Sequence, residues 1–385
     1  MIPYGKQDIN QQDIDAVVKV LQSDYLTQGP QVPLFEAAIN KVAESQYAVA
    51  VNSATSALHI ACLALGVGKG DIVWTSPITF VASANCALYC GASVDFVDID
   101  PHTYNLSPIE LEKKLIIAKQ QKKLPKVVIP VHLAGQSCDM EKIHQLSVEY
   151  GFKIIEDAAH AIGGSYQGQP IGNCVYSDIT VFSFHPVKIV TTAEGGVATT
   201  NCVKLAKKMQ LLRSHGITRD ENLMTEIPHG EWYYEQHELG FNYRMSDLHA
   251  ALGVSQLTRL REFVAKRTAI ARGYDKQLSK LPIILPKQLD TTNSSWHLYI
   301  IQLKLDEMSK SHMQVFSELR EAGIGVNLHY IPVHLHPYYQ EIDFKLGDFP
   351  MAERYYSSAI SIPLYSQLSQ EEHHKITSKI EKLLA

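Results

Sequence analysis

The sequence predicts an α/β protein: a mainly parallel sheet flanked by helices, followed by a smaller region of mixed helices and strands. Three observations predict it. Short β-rich apolar runs at 47–51, 71–76, 92–98, 126–132 and 152–156 are separated by longer stretches, among them helical patterns such as that of 140–150. The pattern breaks down between Leu211 and Tyr243. It resumes afterwards with a different mix: helices near 266–280 and 313–321, and strands near 296–304.

In chain order, Ile14, Val17, Val18 and Leu21 keep the i, i+3, i+4, i+7 spacing of an amphipathic helix. A turn-rich loop, Asp24-Tyr25-Leu26-Thr27-Gln28-Gly29-Pro30, follows. A second helix over 34–43 leads into the strand 47–51. Then Asn52-Ser53-Ala54-Thr55-Ser56 opens a helix that ends near Gly66. Ser53 or Thr55 can cap it. Its free N–H groups and positive dipole end suit a phosphate, with Thr55 and Ser56 as candidate donors. Phe80 leaves the strand 71–76 either as core or as a stacking platform. Asp98 and Asp100 beside Pro101 read as turn residues. Asp157, at the end of the strand 152–156, can cap or bind a ligand.

The stretch Ser177–Gly196 commands most interest. Ile179, Val181, Phe182 and Phe184 form a strand that His185-Pro186 stops, because proline has no donor for the ladder. Lys188 comes two residues later, where α/β proteins place ligands. Taken alone it is a solvated loop lysine or a Schiff-base lysine. Between 211 and 243, Trp232, Tyr233 and Tyr234 make contact with a partner a better reading than disorder. Ser246-Asp247 begins a helix expected to run to about Phe263. Ser369–Glu372 is a capping box for the last helix, whose apolar face is Ile376, Ile380, Leu383 and Leu384.

The 385 residues, 45% hydrophobic and 19% charged, suffice for roughly two domains. A net charge of −5 argues against a general nucleic-acid surface. The six cysteines form no CxxC pair and are expected as buried, reduced thiols. The N-terminus has no apolar signal core and no stretch is long enough to span a bilayer, so a cytoplasmic location is expected. His329, His334 and His336 are interrupted by Pro332 and have no cysteine near, so no metal site is expected.

Four motifs, in order, carry a resemblance over most of the chain. They are Asn52–Leu58, Glu156–Ala161, Ser183–Lys188 with Thr192–Gly196, and Gly240–Ser246. Together they resemble the fold-type I pyridoxal-phosphate enzymes, and more closely the sugar-nucleotide aminotransferases of the DegT/StrS type. The resemblance implies a large domain over 1–263 with a mainly parallel seven-stranded sheet, a smaller α+β domain over 264–385, and pyridoxal 5'-phosphate as cofactor. It makes Lys188 the lysine that carries the cofactor and the general base for the proton shift. Asp157 would pair with the pyridine nitrogen and keep it protonated, so that the ring draws electrons from the substrate. Thr55, Ser56 and Ser183 would bind the phosphate, Phe80 would cover the ring, and His160 would bond the cofactor's hydroxyl region or support Asp157. Asn242 would reach the cofactor of a neighbouring subunit, which implies a homodimer with shared sites. Arg244 would grip the amino donor's carboxylate or form an interface ion pair. Tyr4, Asp24, Tyr25, Leu26 and Thr27, with Asn327, Leu328, His329 and Tyr330, would meet the substrate.

The implied reaction moves nitrogen from glutamate to a keto-sugar linked to a nucleotide. The residues Tyr4, Tyr25–Gln28 and Asn327–Tyr330 most resemble the subgroup of pseudaminic acid biosynthesis, which aminates C4 of a UDP-4-keto-6-deoxy-N-acetylhexosamine for surface or flagellin glycosylation. An enzyme for UDP-4-keto-arabinose is the close alternative. A non-catalytic sugar-nucleotide sensor is the alternative of another class, disfavoured because the sequence shows no spare segment for a DNA-binding module.

Overall fold

The computed structural model describes residues 1–384. The chain begins with α1 (Gln11–Leu21) and α2 (Gln31–Ala43). It continues through β1 (Tyr47–Val51), α3 (Ala54–Ala64), β2 (Ile72–Thr75), α4 (Ala82–Tyr89), β3 (Ser93–Phe96), α5 (Pro108–Gln121), β4 (Val127–Ile129), α6 (Met140–Tyr150) and β5 (Lys153–Asp157). The short β6 (Ser165–Tyr166) and β7 (Gln169–Pro170) precede β8 (Ile179–Ser183), β9 (Gly196–Thr200) and α7 (Val203–Arg213). The seven longer strands form one sheet in the order β1-β9-β8-β5-β4-β2-β3. The pairs joining β3, β2, β4, β5 and β8 are parallel; β9 runs antiparallel to both β8 and β1.

Alternation along these strands covers both faces. Val49, Val73, Ile129, Ile155, Val181 and Ala198 pack in one buried cluster with residues of α3, α4 and α7. Their neighbours point the other way: Trp74, Val128 and Ile154 pack with α5 and α6, and Ala50, Phe182 and Val197 with α2 and the later α8. Helices on both faces of a parallel sheet leave the carboxyl ends of the strands as the open edge for a ligand.

Beyond the sheet, β10 (Ile217–Thr218) pairs with β11 (Glu235–Gln236), giving the irregular segment a small hairpin. Trp232 and Ile227 on it are 70% and 90% exposed. The helix expected from Ser246 to Phe263 is two helices, α8 (Asp247–Leu257) and α9 (Leu260–Leu278), broken at Thr258-Arg259. The second of them carries straight through position 263. Its Leu260 and Phe263 pack against the large sheet's helices, whereas Ala271, Tyr274 and Leu278 belong to the C-terminal core. Arg267 lies between them, fully buried, with Nη1 donating to the carbonyls of Trp296 (3.2 Å), His297 (3.3 Å) and Leu364 (2.9 Å). The chain then runs through β12 (Ile283–Ile284), β13 (Thr292–Asn293), β14 (Tyr299–Leu303), α10 (His312–Glu321), α11 (Pro337–Gln340), α12 (Pro350–Tyr356), β15 (Ala359–Ile362) and α13 (Gln370–Leu384). The short β13 pairs with β6, and Tyr339 of α11 and Tyr355 of α12 pack in the large sheet's cluster; β12, β14, α10, β15 and α13 complete the C-terminal core. Its sheet is β12-β14-β15, and the Ser369–Glu372 capping box is present at the start of α13.

The two aspartates are turn and cap residues: Asp100 accepts from the amides of His102 and Thr103, and Asp98 from those of Met351 and Ala352 at the start of α12. All six cysteines are free thiols. Contrary to uniform burial, Cys90 is partly exposed and Cys202 exposed, because each lies at a helix end. Among the described residues no helix is long and apolar enough to cross a membrane.

Candidate active site

Strand register assembles one row of residues at the open edge. Gly196 pairs with Val51 of β1 and with Ser183 of β8, and Asp157 pairs with Val181 two residues further back. The start of β9 presses against the start of α3. A Cβ on Gly196 would lie 2.4 Å from the carbonyl carbon of Ser53 and 2.5 Å from the nitrogen of Ala54. Glycine therefore lets a strand and a helix N-terminus share this corner. Ser53 caps α3, its Oγ accepting from the amide of Ser56 at 3.1 Å.

The loop carrying Lys188 is tied shut at its base. The amide of Phe184 donates to Gly195 (3.0 Å), that of Thr192 to Phe184 (2.9 Å), and that of Lys188 to His185 (2.9 Å). Lys188 thereby enters a cavity of about 510 Å³ whose wall includes Thr55, Asp157, His160, Ser183, His297 and Tyr330. Burial draws its amine down to about 8, against the opposing charge of Asp157.

Asp157 is held by two donors. Ser83 Oγ donates to Oδ2 at 2.6 Å and the amide of Ala159 donates to Oδ1 at 3.1 Å. Since Ser83 gives its proton to Asp157, Thr79 Oγ1, 2.7 Å away, donates to Ser83. Behind the carboxylate, the preceding Glu156 is fixed in the core by His132 Nε2 (2.7 Å), Ser177 (2.5 Å) and Thr180 (3.0 Å).

Three imidazoles face Lys188. The amide of Ala134 donates to His160 Nδ1 at 3.3 Å, so the neutral ring carries its proton on Nε2, 3.1 Å from the Tyr330 hydroxyl. Tyr330 accepts there and keeps its own proton free. His297 lies 4.3 Å from the His160 ring, and its buried Nδ1 has no hydrogen-bond partner. His329 Nδ1 bonds Ser361 at 2.8 Å, and its ring sits 5.2 Å from that of Tyr4. Burial, reinforced by the Lys188 charge, pushes His160 and His297 well below the usual imidazole range and His329 down to about 3.

Of the expected site residues, Tyr4, Thr55, Phe80, Asp157, His160, Ser183, Lys188, Asn327, Leu328, His329 and Tyr330 line this one cavity. Phe80 stands 60% exposed at its rim, 6.2 Å from the Tyr330 ring. Ser56 does not reach the wall: its hydroxyl donates to Asn52 Oδ1 at 2.6 Å and its amide to Ser53. Asp24, Tyr25, Leu26 and Thr27 are also outside. They are exposed, and the loop is pinned to the start of α8, where the Asp247 amide donates to Leu26 and its carboxylate accepts from Gly29 and Gln31. Asn242 and Arg244 lie outside too, bridged to Ser214 and Val51. Sequence reasoning missed His297, Ser83 and Glu194. His297 follows Trp296 in a strand-like run with no local mark, and Ser83 acts only through a contact 74 positions away.

These residues suit a phosphorylated aldehyde cofactor. A weakly basic lysine can bond its carbonyl carbon, a doubly anchored carboxylate can pair with a ring nitrogen, and a helix N-terminus cleared by glycine can hold a phosphate. A family model described as the DegT/DnrJ/EryC1/StrS aminotransferase family matches residues 7–381. The spore coat polysaccharide biosynthesis protein SpsC of Bacillus subtilis is 37% identical, over 100% of this chain and 97% of its own. The UDP-4-amino-4,6-dideoxy-N-acetyl-beta-L-altrosamine transaminase of Campylobacter jejuni (serotype O:23/36) is 38% identical, over 97% and 94%. Among solved structures, the putative sugar aminotransferase Spr1654 of Streptococcus pneumoniae in its PLP-form superposes with a TM-score of 0.87. It is 31% identical with full coverage of both chains.

Proposed function

Because this chain belongs to the DegT/DnrJ/EryC1/StrS aminotransferase family, and is a pyridoxal phosphate-dependent sugar aminotransferase of fold type I, we propose that it moves an amino group from glutamate to C4 of a UDP-4-keto-6-deoxy-N-acetylhexosamine. The observation that carries this reading is the convergence of Tyr4 and Asn327–Tyr330, more than 300 positions apart, on the cavity that Lys188 enters. The transaminase name of the Campylobacter relative supports it.

Pyridoxal phosphate, when bound, supplies the electron-withdrawing ring that eases loss of a proton from carbon and stores the amino group between half-reactions. The residues of the chain divide the remaining work. Thr55, Ser183 and the free amides at the start of α3 hold phosphate oxygens. Asp157, with Ser83 and Ala159 fixing both oxygens, offers its remaining lone pairs to a protonated ring nitrogen. Lys188 Nζ, with a proton affinity near neutrality, takes a proton from one carbon and returns it to another. His160 holds Tyr330 as an acceptor, so the Tyr330 proton points to a sugar or cofactor oxygen. Tyr4 offers an apolar face, while Asn327 and His329 bond hydroxyl and acetamido groups. Phe80, open on one side, covers the ring once a ligand is present.

Asn242, Arg244 and the Asp24–Thr27 loop serve a second copy's cavity, in a homodimer with shared sites. Support comes from their position outside their own chain's cavity and from exposed Ile14, Val18, Leu21, Tyr25, Leu26 and Leu34 beside the loop. The test of the acceptor compares kcat/KM, with glutamate as donor, for the L-altro UDP-4-keto-6-deoxy-N-acetylhexosamine, its C5 epimer and UDP-4-keto-arabinose. Highest efficiency with the first is expected. A preference for keto-arabinose overturns the sugar assignment and leaves amine transfer standing.

A further inference from the structure

Behind the cavity, one residue grips the end of β5 twice. The strand β4 ends at Ile129, yet the chain stays bonded to β5 beyond it. The Asp157 amide donates to the Pro130 carbonyl at 2.9 Å, and the His132 amide donates to the Asp157 carbonyl at 3.0 Å. The His132 ring accepts at Nδ1 from the amide of Cys138 (3.2 Å), which places its proton on Nε2. That proton goes to Glu156 Oε2 at 2.7 Å. His132 therefore holds two successive residues, Asp157 through the backbone and Glu156 through the ring. Both His132 and Glu156 are buried, and neither lines the cavity.

We propose that His132 and Glu156 are positioning residues for amine transfer, fixing the rotation of the β5 end that aims Asp157 at the cofactor's ring nitrogen, a role that rests on the pairing of Asp157 with that nitrogen proposed above. Successive residues of a strand point to opposite faces. A turn of the β5 end about its own axis that swings Asp157 therefore swings Glu156 as well. Glu156 resists such a turn, because its Oε1 also accepts from Ser177 (2.5 Å) and Thr180 (3.0 Å). The bonds from Ser83 and Ala159 act on the Asp157 carboxylate itself. The bonds from His132 act on the backbone that carries it and on the side chain next to it.

The electrostatics agree with the geometry. Against the effect of burial, the hydrogen bond from His132 and those from Ser177 and Thr180 hold Glu156 below the usual carboxylate range. The hidden carboxylate thus stays charged and keeps all three donors. Without His132 it is a buried charge short of a partner, and the strand end is free to turn until another donor or water is found. A misplacement of about 1 Å at a reacting group can cost about 100-fold in rate. A partial turn of Asp157 away from the ring nitrogen is accordingly expected to cost about tenfold or more.

The test compares wild type with three variants, each loaded with pyridoxal phosphate isotopically labelled at the ring nitrogen. His132→Phe keeps a ring and removes the donor, and His132→Gln keeps a donor. The double variant His132→Phe, Glu156→Leu leaves no buried carboxylate unpaired, so it carries the test where the single variant does not fold. Nitrogen NMR reads the protonation of the ring nitrogen, and the visible cofactor band follows the half-reaction with glutamate. Wild type and His132→Gln should show a protonated nitrogen and similar rates. In His132→Phe and the double variant the protonated signal should weaken. Their rate at saturating glutamate should fall about tenfold or more, with glutamate affinity changed less than about twofold. Slower transfer with an unchanged nitrogen signal marks a purely structural role and overturns the proposal, as does an undiminished rate or a failure of His132→Gln to restore wild-type behaviour. An unprotonated nitrogen already in the wild type overturns the pairing of Asp157 and, with it, the clamp.

Discussion

Replacing Lys188 by methionine in the cofactor-free protein should make folding stability respond differently to pH. A lysine amine ordinarily titrates near 10.5, and in the folded protein this one is drawn down to about 8. The folded state therefore disfavours its charged form. The cost is fully present below pH 8, where both states are protonated, and disappears as pH rises through 10.5. The difference between the two values corresponds to about 3 kcal/mol. At pH 9.5 about 1.4 kcal/mol of it remains. With about 2.1 cal/mol/K of unfolding entropy per residue, a chain of 385 residues melts about 1.2 °C higher per kcal/mol gained. Apo Lys188→Met should thus melt some 4 °C above apo wild type at pH 7, and the gap should narrow by about 2–3 °C at pH 9.5. Differential scanning calorimetry of both proteins, with cofactor removed by hydroxylamine and dialysis, reads this directly. Methionine's own packing shifts both points equally. A gap that does not change between pH 7 and 9.5, or one that widens, refutes the claim that burial of Lys188 lowers its proton affinity.

Borohydride treatment of the holoenzyme should fix the cofactor on the peptide containing Lys188; recovery of the tag on another lysine would displace that assignment. Asp157→Asn should fold and bind cofactor weakly, with amine transfer falling by two or more orders of magnitude, and near-normal turnover would end its proposed role. Ser83→Ala removes a hydrogen bond to a charged group, about 1.5–3 kcal/mol, so cofactor affinity measured by absorbance titration should drop roughly tenfold or more; an unchanged affinity would make Ser83 a packing residue. Mixing Lys188→Ala subunits with Asn242→Ala, Arg244→Ala double-mutant subunits should restore activity in heterodimers, where one site collects every lesion and the other has none. Demonstrated exchange without recovery excludes shared sites.

Much of this architecture was legible because its determinants are local. The strand Tyr47–Val51 and the helix Met140–Tyr150 sit where apolar spacing and turn residues put them. The cap on α3 and the lysine after β8 are likewise carried by contiguous residues. The helix α5 was not read from the sequence, although Ser107 caps it and Pro108 takes its first position, because its charged stretch hides a narrow stripe of Leu111, Leu115 and Ala118. The break between α8 and α9 was not legible, since both flanks keep helical residues and the interruption answers to tertiary packing around Arg259. It bonds Asp8 at 2.9 Å and Asp13 at 2.5 Å. Ser56 shows the limit at the site itself: hydroxyl type and spacing suggested a ligand donor, but Asn52, four residues earlier, takes its proton. Residues such as Ser83 and His297 gain meaning only when distant segments meet.

The ring of neutral histidines around Lys188 has a consequence for how the enzyme would experience acidity. An imidazole ordinarily buffers near neutrality, and three of them could turn a cleft into a proton reservoir whose charge drifts with every change in its surroundings. Here His160, His297 and His329 are all held below that range, so these three rings stay uncharged from mildly acidic to alkaline conditions and leave Lys188 as the amine that titrates among them. Protons in transit have one amine to occupy and no neighbouring imidazole to leak to, which insulates the carbon-to-carbon transfer from the solvent's own proton supply.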